Sequence, residues 1–430
     1  MFSELLWALP FFALLLSIAL FPLLKPHWWE KHYPAVSLAL GLVVVFHYVF
    51  QLKQTEVLFT TLHEYFSFIA LIGSLFIISG GIYIQTKGEA TPLANCLFLV
   101  IASCTASLLG TTGASMVFIR PWIRINKYRF TALHIVFFIF LVSNIGGGLT
   151  PIGDPPLFLG YLKGVPFFWV IQHVWIMWAI TTAYLIAVFF VLDTINFRKA
   201  PPAIREKETG HEHTWKFRGG QNIFYLALVI GSVFINHPPF LREAVMIIAS
   251  LLSYATTARD IHSANDFSFK PIKEVAILFL GIFLAMIPAL EWLERYAGQL
   301  GVNTPSVFYW LGGALSSVLD NAPTYLNFLS LEIGLFTKAA VAAGAAHLTT
   351  DDHAIIRYLM NHHPDFIMAI SVSTVYFGAM TYIGNGPNFL VKSIADHSKL
   401  HTPSFFGYIL KYSIPILLPI FILIGWVFFR

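Results

Sequence analysis

The sequence predicts an all-α integral membrane protein built from two inverted repeats. Each repeat is expected to hold five spans and one re-entrant hairpin, with broken helices at the bilayer midplane. Three observations carry this expectation. Of 430 residues, 57% are hydrophobic and 11% charged, with a mean hydropathy of +0.72; a soluble domain carries about 25% charged residues. Several apolar runs are interrupted at Gly, Pro, Asn and Asp. The interruptions recur in the same order in both halves.

Residues 5–24 form a first span. Glu4 precedes it, no Lys or Arg does, and the run is too long for the core of a signal peptide, so a retained helix is expected. Spans at 34–50 and 65–84 follow. The run 93–119 is broken by Gly110-Thr111-Thr112-Gly113. Neither arm reaches the ~20 residues a crossing needs at ~1.5 Å per residue, so the run is expected to dip in and return. The run 131–162 is broken at 143–156, and 167–192 closes the first repeat, residues 1–200. A polar linker, 201–221, is expected on the cytoplasmic side. The second repeat, 222–430, has spans at 223–235, 241–255 and 275–290, a hairpin at 307–335 broken by Asp320-Asn321-Ala322-Pro323, and a polar insert at 345–364. Its broken helix, 366–395, opens at Gly384-Asn385-Gly386-Pro387, and 405–429 is the last span.

Five spans per half mean that the second half enters from the opposite side. With the N-terminus outside, the inner loops carry 18 Lys and Arg and the outer side 7, leaving Lys411 uncounted near the end of a span. That is a positive-inside bias. The net charge of +4 is therefore a topology signal, and no nucleic-acid partner is expected. The repeat is also legible directly. Thr150-Pro151-Ile152-Gly153-Asp154-Pro155-Pro156 matches Thr381-Tyr382-Ile383-Gly384-Asn385-Gly386-Pro387 as T-x-I-G-[DN]-x-P, and Phe167-Phe168 answers Phe405-Phe406. Ser107-Leu108-Leu109-Gly110-Thr111 aligns more weakly with Ser317-Val318-Leu319-Asp320-Asn321.

Interrupted segments at corresponding places in two halves point to a transporter's binding site. Backbone unwound at membrane depth survives only inside protein or along a wet cavity. Carbonyls and side-chain oxygens there suit a hard cation such as Na⁺, and half-helix N-termini suit an anion. Asp154 and Asp320 are the leading candidates for direct Na⁺ or proton binding, since a desolvated carboxylate trades readily between the two; capping of a half-helix is the alternative for each. Asn144, Asn321 and Asn385 are candidates either as ligands or as loop braces. Thr111, Thr112, Ser143, Thr150, Ser317 and Thr381 are weaker candidates, because hydroxyls in membrane helices often bond back to their own backbone. Gly146, Gly147, Gly153, Gly384 and Gly386 are expected to permit unwound backbone and close approach, with Pro155, Pro323 and Pro387 at the same breaks. No metal site is expected beyond Na⁺ at these residues, and no cofactor beyond Na⁺ and H⁺ as transported or coupling ions.

Other candidates read as packing. His47, His134 and His173 sit among bulky apolar residues, and Cys96 and Cys104 read as core residues rather than a disulfide. The His-rich stretches 211–213 and 347–363 are polar loops with some capacity for metal. No H-E-x-x-H or nucleophile–base pair is present, so an enzyme is not expected.

On these motifs the chain resembles the ion-transporter superfamily, which includes NhaD-type sodium/proton antiporters, the arsenite-pump and P-protein family, citrate transporters and divalent anion/sodium symporters. Asn144-Ile145-Gly146-Gly147 through Thr150-Pro151-Ile152-Gly153-Asp154 is similar to the NhaD-type N-x-G-G-x-x-x-P-I-G-D signature. Asp320-Asn321-Ala322-Pro323 is similar to its D-N-x-P hairpin. The resemblance implies a scaffold domain, a mobile transport domain carrying the hairpins, elevator-type movement and a homodimer. These relatives usually carry Asp-Asn in the first hairpin, where this chain has Gly110-Thr111, one acid fewer.

The first expectation is therefore a sodium/proton antiporter with Asp154 and Asp320 as carriers. The second is an Na⁺- or H⁺-coupled transporter of an organic anion such as citrate, and the third a channel. The absence of Lys or Arg at any break favours a cation. The partners expected are a small ion or organic anion and the lipid bilayer, with a multi-pass location in a bacterial inner membrane.

Overall fold

The computed structural model describes residues 2–87, 90–209, 214–235, 237–342 and 352–430. Three long helices open the chain: α1 (Phe2–Leu24), α2 (Pro26–Leu52, π-type from His47) and α3 (Thr55–Gly80). The second and third start earlier than the apolar runs at 34 and 65. Their polar lead-ins remain helical, and Pro26 suits a first helical position, where no N–H is needed. Next come β1 (Tyr83–Lys87), α4 (Pro92–Ile125), α5 (Ala132–Leu141), α6 (Pro155–Leu162) and α7 (Trp169–Lys199).

The middle segment holds α8 (Pro202–Thr209) and β2 (Thr214–Arg218). The two strands pair antiparallel, from Tyr83 opposite Arg218 to Lys87 opposite Thr214. Sequence reading gave no hint of this pair, which sits beside an otherwise helical architecture.

The second half runs α9 (Gln221–Ser232), α10 (Leu241–Thr256), α11 (Arg259–Ala264), α12 (Lys270–Tyr296), α13 (Pro305–Ser316) and α14 (Asn321–Ala342). It ends with α15 (Asp352–His362), α16 (Pro364–Phe377), α17 (Gly386–His397) and α18 (Phe405–Phe428, π-type over Ile409–Leu417). Among the described residues, α1, α2, α3, α4, α7, α12 and α18 are long and apolar enough to cross a bilayer. Shorter apolar helices include α9, the stretch containing α5 and the stretch containing α16.

The breaks fall slightly off their expected positions, for a local reason. The first is confined to Gly110 (φ 75°, ψ 152°), and helix resumes at Thr111. The second gap lies at 317–320, and Asn321 begins α14. Asn, Asp and Pro favour the beginning of a helix, so these residues open the second arm rather than interrupt the first.

The apolar core is divided. One cluster gathers α4, α5, α7, α13, α16 and α18 with one face of α14, through residues such as Phe138, Leu185, Phe308, Tyr325, Ile370 and Phe421. A second gathers α1, α3, α9, α10 and α12 with Phe158 of α6 and Leu326 of α14. The helices α2 and α12 approach closely at small residues. Ser37 Oγ donates to the carbonyls of Ile277 and Leu278 at 3.1 and 3.2 Å, and a Cβ on Gly41 would stand 3.3 Å from Gly281 Cα.

Ion pairs join residues expected on the same side of the membrane: Arg120–Asp266 and Arg218–Asp260 on one, Lys163–Glu64 and Arg295–Glu4 on the other. One pair is buried. Arg129 is bonded twice to Asp193, by Nη1 and, at 2.9 Å, by Nη2, while Asn95 Nδ2 donates to Asp193 at 3.0 Å and His134 Nε2 stands 3.3 Å away. This cluster ties the ends of α4, α5 and α7 that face the same side. A buried charge is tolerated when it is paired and hydrogen-bonded in this way.

Candidate functional site

Four helices begin at one place. The second arm of α4 starts at Thr111, α6 after Asp154, α14 at Asn321 and α17 after Asn385. Asp154 lies among them, 1% exposed. Thr111 Oγ1 donates to its Oδ1 at 2.6 Å, Asn385 Nδ2 donates to the same oxygen at 3.2 Å, and Asn321 Nδ2 donates to Oδ2 at 2.6 Å. Three donors from three elements therefore meet on one carboxylate. Asp154 makes no bond to the N–H groups of its own helix, so its side chain is not a cap.

Asp320 is arranged differently. Its Oδ1 accepts from Ala322 N at 3.1 Å, and its carbonyl accepts from Thr324 Oγ1 at 2.9 Å. It is a partly buried cap of α14. The two acids that sequence treats alike thus have separate local roles, although they belong to adjoining parts of one site.

The other candidates divide in the same way. Asn385 Nδ2 also reaches Ser143 O and Asn144 Oδ1, at 3.1 and 3.2 Å. Asn144 Nδ2 donates to Ile139 O at 2.8 Å and to Asn388 Oδ1 at 2.7 Å. Asn388 in turn donates to the carbonyls of Gly378 and Thr381 at 2.8 and 2.9 Å. Asn144 and Asn388 are braces that hold the two unwound stretches together. Asn388 was missed by the sequence reading; its signal was an amide directly after the Gly386-Pro387 break. Ser143 Oγ pairs with Ser115 Oγ at 2.9 Å, while Ser317 Oγ bonds back to Ala314 O at 2.7 Å.

Thr150 and Thr381 are brought into matching geometry. Each hydroxyl donates across 2.5 Å to a hairpin carbonyl, Ser107 O and Ser317 O respectively. Each then accepts from the glycine three residues on, Gly153 N or Gly384 N, at 3.1 Å. Ser107 and Ser317 are the residues aligned between the halves by sequence.

Close approach explains most of the site glycines. A Cβ on Gly147 or Gly153 would collide with the other's backbone, one on Gly146 with Ser103 and Leu141, and one on Gly384 with Gly378 and Ser316. Gly386 differs from expectation, since nothing lies within 4 Å of a Cβ there. Pro155 and Pro387 occupy the first two positions of α6 and α17, and Pro323 lies in the first turn of α14, where a missing N–H costs least.

A void of about 30 Å³ adjoins Asp154, lined by Gly110, Thr111, Thr112, Gly153 and Leu75. It has room for a water or a small bare cation. A wider cavity of about 530 Å³ opens at the other end of α6, bordered by Glu64, Tyr161, Arg242, Glu243 and His353.

The histidines behave as packing groups. His47 stacks on Trp7 and bonds Gln51 at 2.7 Å, His173 Nδ1 bonds Trp169 O at 2.8 Å, and His134 meets Thr131 and Asp193. Residues 211–213 and His347 lie outside the described residues. His362 bonds Tyr358 O at 2.9 Å, and His363 stacks on Phe336. Cys96 is buried, Cys104 is exposed, and both are free.

A family model described as "Putative citrate transport" (CitMHS_2) matches residues 2–429. No curated protein matches the chain.

Proposed function

The chain belongs to that citrate-transport family as an integral, multi-pass membrane protein, and from this premise we propose that it is a secondary transporter moving a citrate-class carboxylate anion together with Na⁺ or H⁺. The observation that carries the reading is the convergence of four helix N-termini on Asp154. Each N-terminus offers about half a positive charge and free N–H groups, so the site attracts an anion without any Lys or Arg. Asp154, held by neutral donors only, is the group that takes the coupling cation, and the small void beside it is where that cation sits. Asp320 contributes a second negative charge at the tip of α14.

The transport cycle is alternating access of the elevator type. The division of the core supports it: the cluster built on α4, α5, α13 and α16 is the moving body, and the cluster built on α1, α3, α10 and α12 is the scaffold. The matched Thr150–Ser107 and Thr381–Ser317 bonds support an inverted repeat in which α4 and the α13–α14 pair are re-entrant hairpins. A homodimer in a bacterial inner membrane completes the reading.

Sodium/proton antiport is the second reading, favoured by the lack of a basic side chain on Asp154. Proteoliposomes loaded with an internal pH dye separate the two. Saturable uptake of labelled citrate driven by an inward Na⁺ or H⁺ gradient is the expected result, abolished by Asp154→Asn. Saturable Na⁺-driven proton efflux without organic anion, and no citrate uptake, would sink the first reading in favour of the second.

A further inference from the structure

Glu332 is a carboxylate in the apolar run of α14, fully buried, and among the described residues neither of its oxygens has a hydrogen-bond partner. It stands eleven residues beyond Asn321, about 16 Å along the helix. The positions Asn321, Tyr325 and Glu332 are separated by four and seven residues, so they share one face. That face belongs to the larger apolar cluster, which also holds Leu329 and, from α16, Ile367 and Ile370. The adjoining helix α16 carries Ser371, Ser373 and Tyr376, all buried. Among the described residues, Asn321 Oδ1 and the hydroxyls of Ser373 and Tyr376 have no hydrogen-bond partner, and Ser371 interacts with the Tyr325 hydroxyl. Asn321, Tyr325 and Glu332 thus mark a polar face of α14 that leads from the Asp154 site to the buried carboxyl inside an otherwise apolar body.

An ionised carboxylate cannot remain in such a place without donors or a cation, because desolvation alone costs several kcal/mol. A metal cation would need several oxygen ligands around it, and Glu332 has no polar atom at hydrogen-bonding distance. Among the described residues, the elements packed against α14 are α6, α12 with the short turn Ala297–Gln299 after it, α13, α15 and α16. The first three bring Tyr161, then Glu291, Glu294 and Arg295, then Tyr309. The last two bring His353, Arg357, Tyr358 and His362, then Asp365 and Tyr376. None of these hydrogen-bonds to Glu332. The occupant left is a proton.

We propose that Glu332 is a proton-carrying site of this transporter, connected to Asp154 along the polar face Asn321–Tyr325–Glu332 of α14. The proposal rests on the transport reading above and adds a second site to it. During the cycle the Glu332 carboxyl releases its proton when water enters along this face of α14, and takes one up again before the cargo-free carrier returns. The proton passes from the Glu332 carboxyl to water, one O–H bond breaking at the carboxyl as one forms at the water, and returns by the reverse step.

The test uses full-length protein in proteoliposomes and the substitution Glu332→Gln. Citrate-driven proton uptake should fall roughly a hundredfold, the scale of a positioned proton-transfer group. Exchange of labelled citrate across vesicles loaded with citrate, which needs no proton release, should stay near the wild-type rate. Glu332→Asp should restore part of the proton movement. Unchanged proton uptake in Glu332→Gln, or an equal fall in exchange, overturns the proposal. Infrared difference spectra of the purified protein supply a readout independent of transport. A carboxylic-acid C=O band present in wild type and missing in Glu332→Gln supports the protonated site, and its absence from wild type at neutral pH overturns it. If wild-type vesicles move no citrate, the functional reading fails on its own, and the infrared band still decides whether Glu332 holds a proton.

Discussion

Asn321 donates to Asp154 across 2.6 Å, and 167 residues of chain separate the two. One hydrogen bond therefore joins the start of α14 to the break before α6. With Thr111 and Asn385 it makes Asp154 the point where four chain breaks are held in register.

Removing that donor should be felt both in stability and in transport. Asn321→Ala leaves a buried carboxylate oxygen short of a partner, at a cost of about 1–3 kcal/mol. Thermal unfolding in detergent should shift down, and citrate uptake should fall more than in Ser317→Ala, whose hydroxyl only bonds back to its own helix. Equal effects would argue against a shared site at Asp154.

Gly110 has φ 75° and ψ 152°, close to a region that only glycine occupies readily. Gly110→Ala is expected to cost about 1–3 kcal/mol and to loosen the Thr111 N to Gly153 O bond, now 2.8 Å. A melting curve coinciding with wild type would show that the first hairpin can turn without this conformation.

Gly281→Val should drive a branched side chain into Ser37 where α2 and α12 meet. Overpacking of this kind costs about 1–3 kcal/mol. Because the contact is made by Ser37 and by no residue of the Asp154 site, the expected signature is lower thermal stability with an unaltered citrate KM in the protein that survives. A changed KM would link this helix pair to the site.

Breaking the buried Arg129–Asp193 pair leaves an uncompensated charge. Asp193→Ala is expected to lose about 3–5 kcal/mol, seen as loss of folded protein in size-exclusion chromatography. The double substitution Arg129→Met with Asp193→Leu should recover much of the loss. Failure to recover would assign the pair a role beyond charge balance.

Lys163 lies at the end of α6 and is paired with Glu64 of α3 at 2.8 Å, and α6 itself borders both apolar bodies, with Leu157 in one and Phe158 in the other. With cysteines at these two positions, a short bifunctional thiol reagent should stop citrate uptake, and a cleavable version should restore it on reduction. Full transport by the cross-linked protein would contradict a sliding cycle.

Much of this architecture was legible in the sequence because lipid leaves few options. Asp154, Asn321 and Asn385 stood out, since Gly, Pro and Asn inside apolar runs have no other reason to be there. The braces were harder to see. Asn388 follows a break rather than forming one, and its role depends on Asn144 of the other half. The difference between Asp154 and Asp320 was invisible, because capping is decided by a side-chain rotamer and not by residue type. Glu332 carried a readable signal, an acid within the apolar stretch 326–336, but it was overshadowed by the break that precedes it. The strand pair left no local trace, since its register exists only between segments far apart in the chain.

That pairing has a consequence for how the chain is made. β1 leaves the ribosome before α4, yet its partner β2 follows α8. At ~5–20 residues per second, the roughly 130 residues between them take about 7–26 s to synthesise. Throughout that interval the first strand is without its partner, and the pair can close only after every helix from α4 to α8 has been made. The strand pair therefore acts as a late clasp in biogenesis, reporting that the first half is in place before α9 begins the second.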